Sequence, residues 1–154
     1  MKFSIYNFQF SKGQSMFEVV LALFIITMII VAVVILSTNS ISNSLFSRSQ
    51  NQGSRYSQEA VEWLRSQREQ NSSDFVVFAA TPTYCLDSLS FTNIGSCGST
   101  EYITSTIFVR QLNFSQSISF GKRIVTATVV TYWQDAKGYH EARSVTEFSD
   151  IREK

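Results

Sequence analysis

The chain has 154 residues, 13 Lys and Arg against 12 Asp and Glu, and a net charge of +1. Its cations are scattered, so it lacks the basic stripe that nucleic-acid binding requires, and no nucleic-acid partner is expected. The length leaves room for one small domain besides a membrane segment; 13 Phe and a single Pro suit a small β-rich core built on aromatic bulk.

The first expected element is a helix. Residues 1–11 carry Lys2 as their only charge, Lys12 and Gly13 follow, and from Met16 to Leu36 every residue is apolar except Glu18 and Thr27. As a helix this run rises roughly 30 Å, the thickness of a bilayer core. No Pro or Gly interrupts it. The run is longer than the apolar region of a removable secretory signal, and no small-x-small cleavage site follows it. Lys2 and Lys12 precede the helix and no acid precedes Glu18. The positive-inside rule therefore predicts a single-pass protein of the cytoplasmic membrane with its C-terminal part outside. A carboxylate at the bilayer edge costs about a few kcal/mol and is usually paired or functional. The plainer account of Glu18 is snorkelling to the headgroups, or attraction to the positive helix N-terminus.

Helical spacing resumes beyond the small polar run Ser37–Ser44, with apolar positions at Ile41, Leu45, Tyr56, Ala60, Trp63 and Leu64. Gly53 falls in the polar gap between Leu45 and Tyr56 and predicts a soft point or kink. The stripe Tyr56, Ala60, Trp63 and Leu64 is expected to pack on a sheet. Glu62 with Arg65, and Arg65 with Glu69, have pair spacing worth about 0.2–0.5 kcal/mol each. The expected organisation is a leader over 1–13, a membrane helix over 14–36, its extracytoplasmic continuation over 37–71, and a β-rich globular domain over 72–154.

Asn71–Asp74 reads as a break. Phe75–Ala80 is short, apolar and β-prone, and Pro82 stops it; Thr83–Leu86 is a second short strand, and Asp87–Thr100 is loop-like. Tyr102–Phe114 reads as a strand with Ile103, Ile107 and Val109 on one face and Phe108 and Leu112 on the other. Ser119–Lys122 contains Gly121 and reads as a hairpin turn. Arg123–Trp133 is the clearest strand, with Val125, Ala127, Val129 and Trp133 on one face. After a turn at Asp135–Gly138, Tyr139–Phe148 returns as a strand whose register the pattern leaves open. Three long strands on two short turns predict an antiparallel meander covered by the helix, an α+β fold.

Chemistry is sparse. The sequence holds no Gly-rich phosphate loop, no GxSxG and no metal-ligand cluster, and His140 is the only His, read as a solvated or packing residue. No enzyme activity, cofactor or metal is expected. Cys85 and Cys97 both lie in the outer part, where two nearby cysteines usually pair; a bridge over about a dozen residues adds on the order of 3 kcal/mol. Free thiols are the alternative, and a metal site would want more ligands.

Lys12, Gly13, Glu18 and the apolar run after them form the pattern of a class III signal peptide. The segment resembles the N-terminus of type IV prepilins and pseudopilins. The resemblance implies cleavage by a membrane prepilin peptidase between Gly13 and Gln14, with Lys12 as the basic residue before the cut. It also implies methylation of the new Gln14 amine and a subunit-docking role for Glu18, then the fifth residue of the mature chain. Gln14 stands where the family more often has Phe or Met, and the mid-helix Pro of many major pilins is missing. The long helix, irregular connection and antiparallel sheet also look like the pilin fold. Phe108 and Arg110, the run ending at Trp133, and Gly138 are loosely similar to minor pilins and the minor pseudopilins of type II secretion. A cysteine pair ahead of the last strands, where many major pilins have a C-terminal bridge, favours a minor subunit.

The expected function is thus a structural subunit of a type IV pilus or type II secretion-like filament. Its implied partners are the membrane, the prepilin peptidase, other pilin or pseudopilin subunits and, indirectly, an assembly ATPase and platform protein. Its implied place is the inner membrane and then a cell-surface or periplasmic filament. The alternative is a signal-anchored extracytoplasmic binding module with no filament role, which has no need of the Gly13–Glu18 spacing. A membrane-tethered enzyme would need an active-site cluster that the sequence does not supply.

Overall fold

The computed structural model describes residues 16–98, 100–119 and 122–149. Lys12, Gly13, Gln14 and Gly121, singled out above, lie outside them, as does the tail from Asp150. The described chain is an α+β arrangement of two helices and one antiparallel sheet, and it divides into two units, Met1–Leu45 and Phe46–Lys154.

Helix α1 spans Met16–Gln70. In its first part the two threonine hydroxyls bond back to the helix itself: that of Thr27 donates to the Phe24 carbonyl, 2.8 Å, and that of Thr38 to the Val34 and Ile35 carbonyls. In its second part Gly53, Ser57, Ala60, Val61 and Leu64 are buried, a stripe at three- and four-residue steps. No break falls at Gly53. The helix runs unbroken through it, and a Cβ there would lie 2.9 Å from Trp133 Cζ3 and 3.4 Å from Ala142 Cβ. Glycine is what lets the helix backbone approach the sheet this closely. Just beyond the polar gap, the Ser57 hydroxyl bonds with that of Thr131, 2.8 Å, and donates to the Ala142 carbonyl, 3.1 Å. Of the two expected surface pairs, Arg65 and Glu62 meet at 2.7 Å.

Asn71 ends α1 and starts the next element. Its N–H still bonds to the Gln67 carbonyl, but its φ of −150° is extended. Its side-chain oxygen then accepts from the Asp74 N–H and the Ser73 hydroxyl, an N-cap. Helix α2, Ser72–Ala79, follows. This corrects the strand expected over Phe75–Ala80. The Phe and Val residues favour a strand locally, but the cap fixes a first turn, and Phe75 and Ala79 at i and i+4 are both buried. Phe75 meets Phe114 and Phe148 edge-on, with centroids 5.9 and 5.0 Å away.

Strands β1 (Thr83–Cys85), β2 (Val109–Ser119), β3 (Lys122–Asp135) and β4 (Gly138–Ser149) form one sheet in that order, antiparallel throughout. The register pairs Leu112 with Val129, Phe114 with Ala127, Thr131 with Ala142 and Trp133 with His140. Val125, Ala127, Val129, Thr131 and Trp133 of β3 are buried, as are Ala142, Thr146 and Phe148 of β4, at the two-residue period of a core face, and Val130 is buried on the opposite face. The strand expected from Tyr102 starts only at Val109. Ahead of it the Thr106 N–H and hydroxyl both bond to the Ile103 carbonyl, and Ser105 has a φ of 60°. That local turn takes the carbonyl a strand would have used.

Candidate functional site

The residues singled out by sequence fall in separate places. Glu18 lies in the first turn of α1, where its charge suits the helix dipole, and its carboxylate has no partner among the described residues. Around it from Met16 to Leu36 the large apolar side chains are all exposed, the least so, Val19 and Leu21, at 48%. Their bare apolar surface runs all the way round the helix, unlike the one-sided stripe of a soluble helix. α1 is a helix long and apolar enough to cross a membrane.

Cys85 and Cys97 form a disulfide in the second unit, with Cα atoms 4.8 Å apart. Together with Glu101 they make a cluster of potential metal ligands within 4.8 Å. The chemistry does not fit a metal: both sulfurs are bonded to each other, and the Glu101 carboxylate already accepts from the Asn93 amide and the Gly98 N–H. Those two donors, Asn93 first, hold Glu101 below the ordinary carboxylate range. The cluster is a clamp on the connection between β1 and β2.

Sequence reasoning placed Arg110 in a strand without assigning it a contact. It is 2% exposed. Its Nε donates to the Leu86 carbonyl, 3.2 Å, and its Nη1 to the Tyr56 carbonyl and Glu59 Oε2, 3.1 and 3.0 Å. Burial lowers its pKa, opposed by Glu59. One planar fork thus ties α1, the cystine-bearing connection and β2 together. The signal was legible only as an Arg between Val109 and Gln111 in a strand, with Glu59 on the helix.

His140 is a packing residue. Its ring meets Phe46 at 5.0 Å and Trp133 at 5.6 Å, and its Nε2 lies 2.9 Å from Asp135 Oδ1. That bond, then the Lys137 N–H, holds Asp135 below its ordinary value. No family model, curated protein or solved structure matches the chain.

Proposed function

We propose that this chain is a subunit, minor rather than major, of a type IV pilus or a related type II secretion-like filament. One observation carries the reading. Lys12, Gly13 and Glu18 stand at the class III signal spacing, with Glu18 in the first turn of a helix whose run to Leu36 is otherwise apolar but for Thr27 and whose later turns pack on an antiparallel meander.

In this reading the prepilin peptidase cuts between Gly13 and Gln14 on the cytoplasmic side and the helix stays in the membrane. The cut creates an ammonium group at Gln14, the site of methylation. Glu18 of one copy pairs with the Gln14 amine of the next in low dielectric, where an unpaired charge is expensive. The pair sets axial register as a lone buried polar residue does in a coiled coil. Extraction by an assembly ATPase and platform protein then replaces lipid around Met16–Leu36 with the helices of other copies.

Two variants in a host with an active prepilin peptidase test this. Gly13→Val should keep the leader and stay out of filaments. Glu18→Ala should be cleaved normally, yet enter filaments about tenfold less or worse, since a buried charge would lose its partner. A wild-type chain that keeps residues 1–13 and stays out of filaments, with Glu18→Ala changing nothing, would instead leave a signal-anchored binding module.

A further inference from the structure

Beside the second unit's core, on the far side of the sheet, is a cleft of about 510 Å³. Its position follows from the strand period. Tyr132 and Gln134 flank the buried Trp133, so they project from the opposite face, where Tyr132 pairs with Val109 and Gln134 with Tyr139. Tyr102 and Ile107, from the turn ahead of β2, close the other side. The volume falls within the roughly 300–1,000 Å³ of small-molecule sites.

We infer that this cleft binds a neutral carbohydrate of one or two pyranose rings. Three observations carry the assignment. No charged side chain lines the cleft, so a phosphate, a carboxylate or an ammonium group finds no counter-charge. Three tyrosines offer flat apolar faces with a polar tip, which match the C–H face and hydroxylated rim of a sugar ring. Finally, the hydroxyls of Tyr102, Tyr132 and Tyr139 and the Gln134 amide make no hydrogen bond among the described residues. These groups are open to the hydroxyls of a sugar ring. The fold does not need these side chains here: Tyr139 is 82% exposed, and Tyr102 and Ile107 are about half exposed.

The assignment concerns the second unit alone and does not depend on a filament role. The full chain in lipid nanodiscs, free of glycoside detergent, is titrated with glucose, galactose, mannose, N-acetylglucosamine, N-acetylgalactosamine and their β-linked disaccharides. Binding is read by tryptophan fluorescence and by saturation-transfer NMR. At least one sugar should bind saturably with a Kd of about 10 mM or tighter. Tyr139→Ala and Gln134→Ala should each weaken it about tenfold, while Ile118→Ala, equally exposed on β2 and not part of the cleft, leaves it unchanged. Both cleft positions are exposed, so these variants keep the fold. Absence of saturable binding across the panel overturns the inference. So does binding that Tyr139→Ala and Gln134→Ala leave intact, or binding of a Pro-rich peptide in place of any sugar.

Discussion

The two parts of α1 are built by the same backbone rules and solve opposite problems. From Met16 to Leu36 the helix is apolar on every side and covered by nothing among the described residues. From Gly53 to Leu64 it is mostly polar, and a stripe of small residues faces a sheet cut to receive it. The first part gains nothing from its own fold and depends on an apolar solvent outside it. The second carries its solvent with it, as the core of Phe46–Lys154. An apolar helix and a core helix thus differ less in how much they bury than in what does the burying.

That contrast is open to substitution. The largest effect is expected from Phe75→Ala, which empties the aromatic cluster under α2. The second unit should lose about 3–5 kcal/mol by denaturant unfolding while membrane partition stays unchanged. Ile29→Arg should do the reverse. It should cost about 2.5–3.5 kcal/mol of insertion, seen as loss from the membrane fraction on flotation, with the unfolding midpoint of the second unit unmoved. If either change moves both readouts, the two parts are not energetically separate. Gly53→Ala should come next, with a net loss of about 1 kcal/mol in thermal or chemical unfolding. Overpacking against Trp133, about 1–3 kcal/mol, outweighs the roughly 1 kcal/mol gained in helix propensity. A gain in stability would mean that Trp133 yields. The smallest effect concerns acid. Asp135 and Glu101 have folded pKa values below their ordinary values of 3.8 and 4.5. Their contribution is complete above those values and is lost as pH falls below them. Asp135→Asn should be slightly less stable than the wild type at pH 7, and the difference should shrink to nothing as the pH falls below the folded value of Asp135, read from unfolding midpoints across the pH range.

Much of this arrangement was legible in the residues. The long helix and the three-strand meander rest on strong periodicity, and the turn at Asp135–Gly138 on its residue types. The misreadings share a cause. Phe75–Ala80 has strand propensity, but six residues cannot outweigh an Asn71 cap and an i, i+4 pair with a core to fill. Gly53 looked like a gap because apolar periodicity is blind to close packing by small residues, and Ser57 was passed over because its partner, Thr131, lies 74 positions away. Arg110 and the tyrosine cleft depend on side chains brought together from distant elements, which no local window contains. The motif residues Lys12, Gly13 and Gln14 are the converse case. They carry the functional reading through their types and spacing alone.

The most direct test is the mass of the N-terminal peptide of the protein recovered from its native membrane. A mature chain that starts at Gln14 with a methyl group on its amine is the predicted result. A chain that still carries residues 1–13, in cells whose prepilin peptidase is active, would contradict it.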